Sequence, residues 1–171
     1  IDGAINALVE DSSLKNASIS FVVKDLDSNI IISEYNPNLS LPPASTMKVV
    51  TTAAALDILG PYLKFETKIM YDGYIDSNNV LQGNIYIKGG GDPTLGSKYF
   101  TEKHGLFMSS WVHEISKLGI DSIAGSIIGD ASFFSDEYVA PTWSWGDIGN
   151  YYGAGVSGLT IYDNTVKFEF S

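Results

Sequence analysis

Ser45 and Lys48 stand three positions apart in the run PPASTMKVVTTAAAL (42–56). On a helix, positions i and i+3 share a face, so the hydroxyl and the amine can meet. A serine hydroxyl attacks a carbonyl well only when a neighbouring base takes its proton. A lysine amine is such a base when it is neutral part of the time. Burial favours the neutral form, and the positive end of the helix dipole pushes the same way. The unpaired N–H groups at a helix start, that of Ser45 included, are suited to hold an oxyanion. The chemistry this pattern points to is acyl transfer, with Ser45 as nucleophile and Lys48 as general base. The same residues also fit an N-cap serine beside a snorkelling lysine, but a lysine leading into so apolar a helix is poorly placed for that. Spacing alone does not discriminate, because Ser12-Ser13-Leu14-Lys15 matches equally well. That copy lies in a polar connector where nothing would desolvate the lysine.

Other patterns carry less. GDPTLGSK (91–98) nearly spells a phosphate loop, but the final residues are in the wrong order and Pro93 removes a cradle N–H. It reads as a turn begun by Asp92-Pro93. GVSGL (155–159) is one residue short of a nucleophile elbow, so Ser157 reads as structural. His104 and His113 are the only histidines, and HEIS (113–116) lacks the second histidine of a zinc motif. No metal site and no cofactor are implied. Trp143, Trp145, Tyr151 and Tyr152 would suit a carbohydrate platform, but such residues more often fill a small core.

The elements that must position Ser45 and Lys48 follow from periodicity. DGAINALV (2–9) has helical spacing, with Asp2 as a candidate N-cap. ASISFVVKD (17–25) and NIIISEYN (29–36) read as strands of a hairpin turning at Asp27-Ser28-Asn29. Pro37, Pro42 and Pro43 make a loop that delivers the chain to a helix over 45–60, ended by Gly60-Pro61. That helix is apolar or small nearly all round, so it is expected to be buried on most sides. Beyond it, 64–73, 79–89, 122–130 and 165–170 read as strands, and 106–119 as a helix with Gly119 at C′. The expected boundary is Gly60-Pro61. The final run is strand-like without a terminating element, as if cut.

Composition bounds the partners. The chain has 171 residues, 44% hydrophobic and 18% charged, which suits a packed α/β (α+β) fold rather than disorder. A net charge of −10 and no basic run argue against nucleic acid and against an anionic membrane surface. With no cysteine there is no disulfide framework and no thiolate site. No apolar stretch approaches a transmembrane span, and no signal segment opens the chain.

Three blocks, in order, resemble the class C low-molecular-mass penicillin-binding proteins, the D-alanyl-D-alanine carboxypeptidase/endopeptidase family. They are PPASTMK with its Val/Thr/Ala-rich helix, GGGDPTL (89–95) and GDASFFSDEYVAPTWSWGDIGNYYGAGVSGLTIYDN (129–164). The resemblance implies a three-layer α/β/α transpeptidase-like domain that holds residues 1–60, with 61–171 in a strand-rich inserted accessory domain. It implies Ser45 and Lys48 in catalysis on a peptidoglycan stem peptide, with β-lactam antibiotics acylating the same serine. It implies a periplasmic or extracytoplasmic place of work. It also makes Asp136 a candidate for binding the free amino group of the peptide side chain, although a solvated loop aspartate is the commoner reading. The family's fold supplies a Ser-x-Asn and a Lys-Thr-Gly as well. Ser77-Asn78-Asn79, Tyr162-Asp163-Asn164 and Lys88-Gly89-Gly90 are poor matches and read as structural. The 171 residues alone are therefore expected to be inactive. A β-lactamase or esterase with the same Ser-Lys pair, and a non-catalytic peptidoglycan-binding domain, stay open as alternatives.

Overall fold

A computed structural model describes residues 1–100, 105–166 and 168–170. The chain forms two compact units, 1–62 and 63–171, and the fold is of mixed α/β class.

The first unit opens with helix α1 (Asp2–Val9), which buries Ile5. Asp2 is the first helical residue and caps nothing, contrary to expectation: Ile1 holds the N-cap position, and the Asp2 carboxylate instead accepts a hydrogen bond from the Ser33 hydroxyl. The hairpin is present, but its strands are shorter than the apolar runs. Strand β1 (Phe21–Lys24) pairs antiparallel with β2 (Ile31–Tyr35), with an irregularity in register at Val23/Lys24. Its turn is held by Asp25, whose carboxylate accepts from the N–H of Asp27 at 2.9 Å and that of Ser28 at 3.4 Å. Helix α2 (Met47–Leu59) follows and stops at Gly60, whose φ of 76° suits a residue without a Cβ.

The second unit is built on one bent pairing scheme. Strands β3 (Lys68–Tyr71) and β4 (Tyr74–Ile75) run into a turn and return as β5 (Val80–Gln82) and β6 (Ile85–Lys88). The expected single strand over 79–89 is thus broken in two, and so is 122–130, which forms β7 (Ser122–Ile123) and β8 (Ile127–Asp130). Two three-stranded sheets result, β3-β6-β8 and β4-β5-β7. Their registers are continuous. Val80 faces Ser122 and Lys88 faces Asp130, so partners on the parallel side stay 42 positions apart across the break. The break is a corner where backbones crowd. A Cβ on Gly83 would lie 2.2 Å from the Asp72 carbonyl oxygen, and one on Gly125 would lie 2.1 Å from that of Gly83. Only glycine lets three strands bend together here.

Asp72 fastens the corner. Its carboxylate accepts the Asn84 backbone N–H at 2.6 Å and the Tyr86 hydroxyl at 2.8 Å. These bonds to the charged form, the Asn84 N–H first among them, hold its pKa below the ordinary 3.8. A depressed carboxylate pKa stabilises the fold above the unfolded value, and the gain is lost as pH falls through the folded one. Urea midpoints should therefore drop on acidification below about pH 4, and Asp72→Asn should flatten that dependence. An unchanged acid limb in the variant would remove Asp72 from the account.

Helix α3 (Phe107–Lys117) crosses between the parallel strands and ends at Gly119, with φ of 80°. The core beneath it is Leu81, Ile85 and Ile120, with Ile69, Ile75, Ile87, Ile115 and Ile123 around them. The period-2 and period-3.6 patterns of those segments meet here. Residues 165–166 and 168–170 form no strand, contrary to the β-like pattern, and remain exposed. No described helix is long and apolar enough to cross a membrane.

The glycine corner makes a stability prediction. Gly83→Ala should cost roughly 1–3 kcal/mol or more in urea unfolding, because the obstacle is backbone that no rotamer can move. Gly3→Ala in α1 meets nothing within 4 Å and should be neutral or gain up to about 1 kcal/mol. Equal effects at the two positions would contradict the crowding.

Candidate active site

The chain approaches Ser45 through Pro42-Pro43 and then tightens into a 3-10 turn, Ala44–Thr46, directly ahead of α2. The Thr46 N–H donates to the Pro43 carbonyl at 3.0 Å, and the Thr46 hydroxyl donates to the same oxygen. Ala44 has a φ of 45°, a left-handed conformation that non-glycine residues adopt at a cost. Backbone strain of this kind recurs at functional sites. The Ser45 N–H stands ahead of the first helical hydrogen bond, among the donors a helix start leaves open.

One turn on, the Lys48 Nζ donates to the Ser45 Oγ at 2.9 Å. The i, i+3 spacing thus does bring the two side chains into hydrogen-bond contact. The pair has the reach required of a nucleophile and its base. Thr52 donates to the Lys48 carbonyl and Thr51 to the Met47 carbonyl at 3.2 Å, so hydroxyls stitch the backbone that carries the lysine. The competing Ser12-Lys15 pattern behaves differently. There Asp11 accepts from the N–H and the hydroxyl of Ser13, at 2.8 and 2.7 Å, and among the described residues Ser12 and Lys15 are joined only through the backbone, the Lys15 N–H donating to the Ser12 carbonyl at 3.4 Å.

The expected burial of α2 is not found. None of its residues is buried, and Val49, Val50, Leu56 and Ile58 are all more than half exposed. The helix is apolar or small nearly all round, yet it is left exposed. Ser45 and Lys48 are exposed as well.

The remaining candidates fall out as follows. Asp136 lies exposed in an irregular segment of the second unit, whereas Ser45 belongs to the first. Ser77–Asn79 forms the hairpin turn, with Asn78 N–H bound to the Asp76 carboxylate at 2.9 Å. Lys88 ends a strand, with its amine 3.5 Å from the Asp130 carboxylate. Asp92 accepts from the N–H and hydroxyl of Thr94, the turn expected of GDPTL. The Ser157 hydroxyl is engaged by the Leu159 backbone. His113 is exposed on α3, and no group of three metal-binding side chains occurs among the described residues. His104 lies outside the described residues. The aromatic block does not fill a core: Trp145 is 86% exposed and Tyr151 and Tyr152 are about 60% exposed.

Two features escape a reading of the sequence. One is the strained Ala44, which nothing in its type foretells. The other is a run of three left-handed residues, Tyr162, Asp163 and Asn164. Asp and Asn tolerate that conformation, so the pair was a faint signal for it.

Comparison with known proteins agrees with this architecture. The chain is 31% identical over 157 residues to a D-alanyl-D-alanine carboxypeptidase DacB of Haemophilus influenzae, covering 91% of this chain and 30% of that protein. It is 29% identical to a D-alanyl-D-alanine carboxypeptidase of an Actinomadura species, covering 92% and 28%. A crystal structure of penicillin binding protein 4 (dacB) from Haemophilus influenzae superposes with a TM-score of 0.70 at 32% identity, covering 84% of this chain and 30% of that one. The same protein complexed with a β-lactam superposes at 0.57 and 33% identity, covering 74% and 26%. The chain thus spans about 30% of the length of the relatives it matches. The D-Ala-D-Ala carboxypeptidase 3 (S13) family matches throughout residues 1–171. With the Ser-Lys helix, the bent sheets and these likenesses in agreement, the chain belongs to the D-Ala-D-Ala carboxypeptidase 3 (S13) family.

Proposed function

We propose that this chain carries the acylating half of a serine D-alanyl-D-alanine carboxypeptidase/endopeptidase that acts on peptidoglycan stem peptides. The observation that supports this most directly is the 2.9 Å contact between Lys48 Nζ and Ser45 Oγ at a helix start. The neutral amine takes the Ser45 proton as Oγ attacks the carbonyl carbon between the two terminal D-alanines. The Ser45 N–H contributes to holding the oxyanion. The tetrahedral carbon then expels the terminal D-alanine, whose amine receives the proton. Water, deprotonated in turn, attacks the ester and frees Ser45. A β-lactam enters by the same first step, but its cleaved amide stays tethered to the acyl group. That the Haemophilus protein has been crystallised in complex with a β-lactam fits this use of the site.

Residues 1–60 supply part of the catalytic domain in this reading, and 61–171 the accessory domain. The place of work is the periplasm or outer cell surface, where the substrate lies. Asp136 is kept as a candidate for the side-chain ammonium of the peptide, since a carboxylate suits that charge. The uncovered apolar surface of α2 is suited to packing by further protein. With no convincing Ser-x-Asn or Lys-Thr-Gly in 171 residues, this segment alone should not turn over substrate.

The test is a fluorescent penicillin applied to the protein at its natural length, with the adduct mapped by mass spectrometry. A stable adduct on the peptide bearing Ser45 supports the peptidase. Rapid loss of the adduct would mean a β-lactamase, and no adduct a binding module.

A further inference from the structure

Outside the Ser-Lys helix, the second unit contains a depression of about 440 Å³ whose walls come from separate stretches of sequence. Phe65, Phe134 and Tyr151 give it aromatic sides, and Asp163 and Asn164 give it a polar end. That end is the left-handed run. Tyr162, Asp163 and Asn164 have φ of 52°, 55° and 54°, three left-handed non-glycine residues in succession, of which Tyr162 carries the strain. Strain of this kind persists only when the surroundings impose it, and it gathers at ligand clamps.

The hydrogen-bonding state of the lining tells what a ligand must bring. Each side-chain donor group makes a bond: Asn164 Nδ2 gives one of its two N–H groups to the Gly155 carbonyl at 3.1 Å, the Ser157 hydroxyl gives to the Leu159 carbonyl at 3.2 Å, and the Thr160 hydroxyl to the Ser157 carbonyl at 3.4 Å. What stays open, among the described residues, is chiefly acceptors. Asp163 uses only Oδ2, toward the Lys98 N–H at 3.5 Å, and Asn164 Oδ1 has no hydrogen bond. A ligand that brings donors is matched to these acceptors. An anion is disfavoured by the Asp163 carboxylate. A cation is disfavoured by the Lys98 ammonium, which already lies 5.1 Å from the Tyr151 ring centre. A neutral molecule with apolar C–H faces and several O–H or N–H donors fits both the rings and the acceptors.

We propose that this depression is a saccharide subsite, taking a neutral sugar on the Tyr151 and Phe134 rings with its hydroxyl or amide donors on Asp163 and Asn164. The reading of the protein as a peptidoglycan enzyme is used only in choosing an N-acetylated probe. The site lies wholly within the second unit and needs nothing from Ser45.

Titration calorimetry of the full chain with tri-N-acetylglucosamine tests it. Saturable binding is expected, weakened roughly tenfold by Asp163→Asn, since a hydrogen bond to a charged acceptor is worth about that much. Asparagine also tolerates positive φ, so the turn should survive this change. Tyr151→Ala should weaken binding similarly, and Tyr151→Phe should restore it by keeping the ring. Absence of saturable heat would overturn the proposal, and so would unchanged affinity in Asp163→Asn and Tyr151→Ala. A loss caused by Trp145→Ala but not by Asp163→Asn would place the sugar elsewhere and overturn it too. In the protein at its natural length, penicillin labelling of Ser45 should be the same in all four variants. Its failure counts against the peptidase reading alone.

Discussion

In the protein at its natural length, Ser45→Ala should abolish covalent labelling by a fluorescent penicillin and lower D-alanine release by at least about a thousandfold. The reason is chemical rather than structural. The methyl side chain offers no oxygen to carry the acyl group, so the two-step route disappears and only direct attack by water remains. The substitution itself is mild. Ser45 is exposed, and among the described residues its hydroxyl has one hydrogen-bond partner, the Lys48 amine. Folding should be nearly unaffected, and an unchanged thermal midpoint would verify that activity was lost for the right reason. Labelling of the alanine variant as strong as that of the parent would place the nucleophile elsewhere. Ser12 is the alternative with matching spacing, but Asp11 ties its neighbour Ser13 into a separate turn.

Lys48→Arg should be nearly as damaging, slowing acylation by roughly 10²–10⁴-fold, the usual worth of a general base. Arginine keeps the positive charge and most of the reach, yet its guanidinium stays protonated and offers no acceptor. The variant separates two roles that Lys48→Ala would confound. If the amine served only as a fixed positive charge near the oxyanion, arginine would rescue most of the rate. If it accepts the serine proton, arginine would not. The measurement is the second-order rate of penicillin acylation, and a rate within tenfold of the parent would reject Lys48 as base.

The contact within the candidate Ser45–Lys48 pair was legible in the sequence because its logic is local. Ser45 and Lys48 lie on one helical turn, and the helix periodicity that joins them is the strongest signal a sequence carries. The hairpin at Asp25–Asn29 and the stops at Gly60 and Gly119 were legible for the same reason, since each rests on one residue's own conformational preference. The bend in the second unit was not. The run 79–89 alternates like one strand, and its only mark of interruption is Gly83. What breaks it is the approach of Asp72 and Gly125, which are distant in sequence, and no local pattern announces such a meeting. The failed expectation for α2 has another origin. An apolar circumference says what a helix surface prefers, not which element of the chain will satisfy it. The aromatic block 143–152 failed in the opposite sense, as rings expected inside stand in solvent.

The even spacing of the parallel partners has a bearing on how variable this unit can be. Because every pair across the corner keeps the same offset, strand alignment is decided at the strands themselves and owes nothing to the length of segment 89–121 between them. Chain could be added or removed at its exposed turns without moving any residue to the wrong side of the sheet, since closing a somewhat longer loop is entropically cheap. A tag or spectroscopic probe inserted beside Tyr99, which is exposed, should leave the corner and the packing of Leu81 and Ile85 intact.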